Sequence, residues 1–164
     1  MKPVAAHVSS ADGARIAYER TGTAPTALVF VHGWLGSCRW WDAQRDAFAA
    51  SHTVVALDLG GHGASSRDRA RHSAEAYAGD TAAVVAALEA ERVVVVGHSM
   101  SGAYAVAAAR GLRRVAAVVL VDTLKNVEQQ IPAAQVDEML ALYRRDFRTA
   151  VERVLPQWLF APGT

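Results

Sequence analysis

The chain has 164 residues, of which 52% are hydrophobic and 20% charged; these values fit one globular domain with a sizeable core and exclude a disordered chain. Its 17 Lys and Arg residues balance 16 Asp and Glu residues, so the net charge of +1 gives no electrostatic reason to expect nucleic acid or an anionic membrane as a partner. The single cysteine excludes an internal disulfide, and neither a signal peptide nor an apolar run near the ~18 residues of a membrane span is recognisable. We therefore expect a cytoplasmic protein whose partner is a small-molecule substrate.

The first half of the chain is dominated by strand patterns. Residues 4–8 and 15–19 flank Asp12-Gly13, a favourable turn pair, and predict an antiparallel hairpin at the edge of a sheet. Four continuous apolar runs follow, each too short for a helix and rich in β-branched residues, as is typical of strands covered on both faces. These runs are residues 27–31, 53–57, 93–96 and 115–121.

Helix-forming stretches separate the apolar runs. They cover residues 40–50, 74–90 and 100–110, with Ser73 as the expected N-cap of the second and Gly111 at the end of the third. Strands that alternate with helices indicate a mostly parallel sheet. We expect an α/β fold with three layers, α/β/α.

The composition changes after the last apolar run. Residues 126–130 are polar, Pro132 is typical of a helix start, and residues 133–155 carry the pattern of one or two amphipathic helices, with no strand after them. We therefore divide the chain into a core, residues 1–122, and a helical segment, residues 123–164.

The strongest chemical motif lies at the junction of a strand and a helix. Residues 93–102, VVVVGHSMSG, lead a buried strand through a tight turn directly into an alanine-rich helix, with Ser99 on the turn. Such a turn projects a hydroxyl above the edge of the sheet, and the helix N-terminus favours developing negative charge. The motif resembles the nucleophile elbow of the α/β-hydrolase family, G-x-S-x-G, except that Ser101 replaces the last glycine and Gly102 follows it. The resemblance implies that Ser99 is the nucleophile; the alternative is that Ser99 only lies in a glycine-rich turn.

A second motif, residues 28–37 (LVFVHGWLGS), is a buried strand followed by His32-Gly33. In the α/β-hydrolase family the loop after this strand supplies one backbone amide of the oxyanion hole. The resemblance implies that Trp34 donates this amide and that Met100, the residue after the nucleophile, donates the other. Losing one such donor typically costs ~3 kcal/mol of transition-state stabilisation. Alternatively the glycines of this motif serve only the turn; His32 is expected to be structural.

A third motif, residues 58–65, is similar to the family's D-x-x-G-H-G-x-S segment. Its role in the family is mainly architectural. A catalytic dyad of Asp58 and His62 is the less favoured interpretation, since the glycines indicate a backbone that turns tightly near the site.

The sequence lacks the histidine that a serine of this family uses as its base. The family order is Ser, then Asp or Glu, then His, and none of the six histidines follows Ser99. A serine without an imidazole to take its proton is a poor nucleophile, and His98, as the preceding neighbour, is expected to point away from the hydroxyl. Asp122, at the end of the next strand, is a candidate for the catalytic acid, because some family members carry their acid at this position. A structural role at the strand end is the alternative.

The resemblance covers essentially the whole chain from Val4, but the family's last two strands and their helices are missing. The chain therefore resembles a member truncated at its C-terminus, with the start of a helical cap in residues 123–164. Residues 115–121 would then form an exposed apolar sheet edge, which invites self-association.

The resemblance implies a serine hydrolase, similar to esterases, lactonases and haloperoxidases, that acts on a small ester, lactone or related acyl compound. No metal or organic cofactor is implied. Ser99 argues against the aspartate-nucleophile branches, the dehalogenases and epoxide hydrolases, whereas lyases, perhydrolases and carbon–carbon hydrolases stay open. Two interpretations without enzymatic activity also stay open: a receptor-like binder and an inert fragment.

Overall fold

The computed structural model describes residues 2–123 and 132–154. The chain divides into two compact units, residues 1–124 and 125–164, which are described separately. The predicted polar stretch 126–130 and the end of the predicted helical segment, from residue 155, lie outside the described residues.

A sheet of six strands forms the centre of the first unit. Its spatial order is β1-β2-β4-β3-β5-β6. β1 and β2 form an antiparallel hairpin, and β2 also runs antiparallel to β4, whereas the β4-β3, β3-β5 and β5-β6 pairs are parallel. The predicted mostly parallel sheet with a hairpin at one edge is therefore confirmed. The strands are β1 (Val4–Ser9), β2 (Arg15–Thr21), β3 (Thr26–Val31), β4 (Thr53–Leu57), β5 (Arg92–His98) and β6 (Val115–Val121).

Alternate residues of the central strands pack on opposite faces of the sheet. Val29 lies in a core cluster with Val84 and Ala105, which belong to the second and third helices. Phe30, the next residue, points to the other face, where its ring lies 4.8 Å from that of Trp41. Helices thus cover both faces, which confirms the three-layer fold.

The helices of the first unit are α1 (Asp42–Phe48), α2 (Ala74–Ala87) and α3 (Ser101–Ala109). The predicted helix 40–50 starts instead as a 3₁₀ turn, Cys38–Trp41, which buries Trp41 in the core. The predicted helix 74–90 ends earlier, because Leu88 becomes extended (φ −83°, ψ 143°) and packs into the core. Both differences arise where an apolar side chain packs at the end of a helix.

Strand β6 forms one edge of the sheet. Its apolar end is exposed: Val119, Leu120 and Val121 keep 45%, 47% and 38% of their surface accessible. The apolar composition alone is typical of a strand covered on both faces. In the first unit this strand therefore presents the exposed apolar edge that the sequence predicts.

The second unit contributes α4 (Ala133–Arg145), the short α5 (Phe147–Thr149) and a π-helical turn (Ala150–Val154). Asp146 interrupts the helical segment, since its carboxylate accepts a hydrogen bond of 3.0 Å from the Thr149 amide and starts α5. In the described parts of both units, no helix is long and apolar enough to cross a membrane.

Candidate active site

The turn between β5 and α3 holds Ser99 in a strained conformation. Its φ of 53° lies in the left-handed region, which costs a residue with a side chain about 1–3 kcal/mol. Two backbone hydrogen bonds hold it there: the Ser99 amide donates to the Val121 carbonyl (2.9 Å), and the Gly102 amide donates to the Ser99 carbonyl (3.1 Å). The partly exposed serine, followed by Met100 at the start of α3, has the backbone expected of an elbow.

The small residues around the elbow are required by close packing. A Cβ at Gly97 would lie 2.6 Å from the Ser101 carbonyl oxygen, and one at Gly102 would lie 2.5 Å from the Thr123 side chain. Position 101 itself accommodates a serine, whose fully buried hydroxyl donates a 2.5 Å hydrogen bond to the His32 carbonyl. The departure from the G-x-S-x-G pattern therefore leaves the packing of the elbow intact.

The loop after β3 lies directly against the elbow. A Cβ at Gly33 would be 3.2 Å from the Ser99 Cβ and 2.5 Å from His98 Nδ1, so only glycine allows this approach. Trp34 follows with 41% of its surface exposed, and Leu35 is left-handed, with φ at 58°. The structure thus brings the loop that carries the Trp34 amide next to Ser99.

His32 is a buried structural residue, as predicted. Its Nδ1 donates to the Gly33 carbonyl (2.8 Å), and its Nε2 accepts from the Leu59 amide (3.1 Å). Burial lowers the pKa of His32 from 6.5 to about 4, so the imidazole is neutral at physiological pH. One ring therefore joins the loops after β3 and β4 beneath the candidate site.

Asp58 and His62 do not form the dyad that the sequence also allowed. The Asp58 carboxylate accepts from the backbone amides of Cys38 (2.7 Å) and Ala64 (2.9 Å), and His62 Nδ1 donates to the Gly60 carbonyl (3.2 Å). Within residues 2–123 no hydrogen bond or ion pair joins the two side chains. Their roles in this segment are architectural.

Asp122 lies at the carboxyl end of β6, next to the elbow in the sheet. The preceding residue, Val121, accepts the hydrogen bond from the Ser99 amide. Asp122 is exposed and has a φ of 49°, a conformation that aspartate adopts more readily than most residues. The backbone therefore places this carboxylate at the same sheet edge as Ser99.

Within the ranges 2–123 and 132–154, no hydrogen bond joins an imidazole to the Ser99 hydroxyl. The His98 ring lies instead edge-on to Trp40 (5.7 Å) and Trp41 (6.3 Å), and its buried Nδ1 has no hydrogen-bond partner. His98 thus packs against the 3₁₀ turn that precedes α1.

A buried ion pair beside the site was missed by sequence reasoning. The Arg69 guanidinium, 1% exposed, pairs with Asp80 of α2 (2.5 Å) and with Asp12 of the hairpin turn (2.8 Å). Asp80 also accepts from the Gly60 amide (3.0 Å), so the pair anchors the segment after β4 to α2. Arg69 is 11 positions from Asp80 and 57 positions from Asp12. Contacts at these separations produce no periodic sequence pattern from which they could be predicted.

Comparison with known proteins defines the class to which this fold and site belong. The family described as "alpha/beta hydrolase fold" matches residues 26–162. The chain therefore belongs to the α/β-hydrolase fold family.

Individual relatives of the chain include enzymes. It is 36% identical over 126 residues to a non-heme chloroperoxidase of Streptomyces lividans, covering 73% of this chain and 45% of that protein. It is 41% identical over 98 residues to a bifunctional esterase/perhydrolase of Acinetobacter calcoaceticus, covering 58% and 36%. An α/β-hydrolase structure from Sphaerobacter thermophilus superimposes with a TM-score of 0.78 at 25% identity, covering 96% of this chain and 62% of that one. The chain spans less than half the length of the curated relatives it matches.

Proposed function

We propose that the complete protein containing this chain is a serine hydrolase that cleaves small carboxylic esters or lactones through an acyl-enzyme on Ser99. The observation that carries the proposal is the strained Ser99 at the strand-to-helix turn, with the Gly33 loop packed against it. Backbone strain of this kind concentrates at functional sites. A serine that only filled a turn would have no need of it.

The proposed reaction uses the elbow and the loop together. The Ser99 hydroxyl attacks the carbonyl carbon of the substrate and loses its proton to a general base, while the carbonyl oxygen becomes an oxyanion. The amides of Trp34 and Met100 hold this oxyanion. Collapse of the intermediate breaks the ester bond, the leaving alcohol takes the proton back from the base, and water then hydrolyses the acyl-enzyme.

The acid of the proposed triad lies in this chain, whereas its base does not. Asp122 is the acid that orients the base, since its backbone adjoins the residue that holds the Ser99 amide. Residues 100–164 contain no histidine. We place the base in a part of the complete protein that this sequence does not include.

The relatives support chemistry on acyl groups. The esterase/perhydrolase of Acinetobacter calcoaceticus matches at 41% identity, over 98 residues. Because the name of this relative also states a perhydrolase, perhydrolysis is a second candidate reaction. In either case a serine hydrolase would be expected to turn over an activated ester.

The test is hydrolysis of p-nitrophenyl acetate by the complete protein and its Ser99→Ala variant. Ser51→Ala, which changes an exposed serine after α1, is the matched control. We expect turnover to vanish in Ser99→Ala and to persist in the control. Turnover that survives in Ser99→Ala would exclude Ser99 as the nucleophile.

A receptor-like binder is the second candidate, because no histidine follows Ser99 in this sequence. Such a protein would bind its ligand without covalent chemistry. Saturable binding of a small acyl compound with neither turnover nor covalent labelling of Ser99 would support the binder, and turnover that depends on Ser99 would exclude it. Cooperative thermal unfolding of the 164-residue chain would exclude an inert fragment.

A further inference from the structure

Ser101 makes a contact that the family's glycine at this position could not make. Its side chain is fully buried, and its hydroxyl donates a hydrogen bond to the carbonyl of His32, 69 positions earlier in the chain. The bond joins the first residue of α3 to the loop after β3. It is a tie between the elbow and the loop that carries the Trp34 amide.

Because peptide bonds are planar, this hydrogen bond also constrains the orientation of the Trp34 amide. The His32 carbonyl shares a peptide plane with the Gly33 amide, and the Gly33 carbonyl shares the next plane with the Trp34 amide. Ser101 holds the first plane. His32 Nδ1 (2.8 Å) and the Gly36 amide (3.1 Å) hold the second by donating to the Gly33 carbonyl. The direction of the Trp34 amide is thus set by bonds to its own peptide plane and to the plane before it.

The loop has little room to move without changing its distance from the nucleophile. A Cβ at Gly33 would already be only 3.2 Å from the Ser99 Cβ. If the Ser101 hydroxyl is removed, the His32 carbonyl loses its donor in a buried position, and a shift of the loop becomes the way to solvate it. Any such shift moves the loop relative to Ser99.

We propose that Ser101 is a positioning residue: its hydroxyl sets the place of the Trp34 amide relative to Ser99. This inference rests on the proposed function, in which that amide binds the oxyanion. The competing explanation is that Ser101 only fills space in the elbow, as the family's glycine does. The two explanations differ in whether the hydroxyl matters to the rate.

The variants that separate them are Ser101→Ala and a matched control, Thr53→Val. Thr53 begins β4, at the amino ends of the parallel strands and thus away from the elbow. It is buried and donates a comparable hydrogen bond to the Ala24 carbonyl (2.7 Å). Each variant removes one buried hydroxyl-to-carbonyl bond. Only Ser101→Ala removes it from the candidate site.

Two measurements on the complete protein test the proposal. The first is the rate at which a fluorophosphonate probe labels Ser99, together with kcat and KM for p-nitrophenyl acetate. In Ser101→Ala we expect labelling and kcat to fall about ten- to a hundredfold with little change in KM, because oxyanion amides act in the transition state. The second is hydrogen–deuterium exchange of residues 32–37, which we expect to accelerate about tenfold. Thr53→Val should change neither.

The outcomes are distinct. Unchanged labelling and kcat in Ser101→Ala would overturn the proposal, even if exchange of the loop accelerated, since the hydroxyl would then be structural only. A lower rate with unchanged exchange would overturn it as well, because the effect would not pass through the loop. If the unaltered protein neither labels nor turns over ester, the proposed function fails, and the exchange of residues 32–37 alone decides whether Ser101 holds the loop.

Discussion

The loops at the two ends of the parallel strands are built differently. In the described residues, the non-glycine residues with positive φ are Leu35, Ser99 and Asp122, and all three follow the carboxyl ends of strands. At the amino ends the left-handed position is a glycine, Gly22. There the loops are held by hydrogen bonds without strained residues, such as the bond that the Arg114 guanidinium donates to the Leu88 carbonyl (2.6 Å).

The difference shows where backbone strain lowers the stability of the fold. Each strained non-glycine residue costs about 1–3 kcal/mol, which the surrounding hydrogen bonds must offset. A cleft of about 380 Å³ lies at the amino edge. Its lining residues, among them Arg20 and Glu91, include none of the three strained residues. In the described residues, backbone strain at residues with a side chain thus lies at the carboxyl edge, whereas close glycine packing occurs at both edges, since a Cβ at Gly22 would clash with the His52 carbonyl oxygen.

After the loss of turnover in Ser99→Ala, the largest effect expected at the carboxyl edge is that of Asp122→Asn on catalysis. Asparagine also tolerates the left-handed conformation, so the backbone should persist while the negative charge is lost. If Asp122 orients the base, kcat of the complete protein should fall about 10⁴-fold. Asp46→Asn, at an exposed position on α1, serves as the control. A change of less than about tenfold would assign the acid to another residue.

The elbow and the turn after α3 should also differ in their tolerance of a methyl group. A Cβ at Gly97 would lie 2.6 Å from the backbone carbonyl of Ser101, whereas one at Gly111, after α3, would meet nothing within 4 Å. We expect Gly97→Ala to lower the free energy of unfolding by about 2–4 kcal/mol and Gly111→Ala to change it by less than about 0.5 kcal/mol. Urea denaturation measures both. Equal effects would mean that the elbow is less tightly packed than described.

The buried imidazole at the carboxyl edge should make stability depend on pH. The pKa of His32 is about 4 in the folded protein and 6.5 without burial, so the unfolded state binds more protons between these values. Stability is therefore lost as the pH falls from about 6.5 toward 4. From pH 7.5 to pH 4.5 this residue alone should lower the free energy of unfolding by roughly 2–3 kcal/mol.

The control for this effect is His32→Asn, which has no group that titrates in this range. The difference between the two proteins in urea denaturation at each pH isolates the contribution of His32 from that of the carboxylates. If both proteins lose the same stability on acidification, His32 is not buried as a neutral ring.

Local sequence patterns predicted the strands and the elbow well because both depend on neighbouring residues. The run 93–96 followed by Gly97 specifies a buried strand and a tight turn without reference to the rest of the chain. The pattern of residues 74–90 was less informative at its end, because burial of Leu88 stops α2 early.

The contacts that order the candidate site could not be predicted in the same way. The Ser101–His32 bond joins positions 69 apart, and the Arg69–Asp80 pair depends on how the segment after β4 folds back on α2. Serine and arginine at these positions fit an exposed role equally well from sequence alone. Their partners become apparent only when the loops of β3, β4 and β5 meet at one edge.

The most direct test of the account is covalent labelling of the complete protein by a fluorophosphonate, followed by intact-mass and peptide mass spectrometry. We expect one phosphonyl group per chain, located on Ser99 and absent in Ser99→Ala. Labelling at another residue, or no labelling of a folded and complete protein, would contradict the assignment of Ser99 as an activated nucleophile.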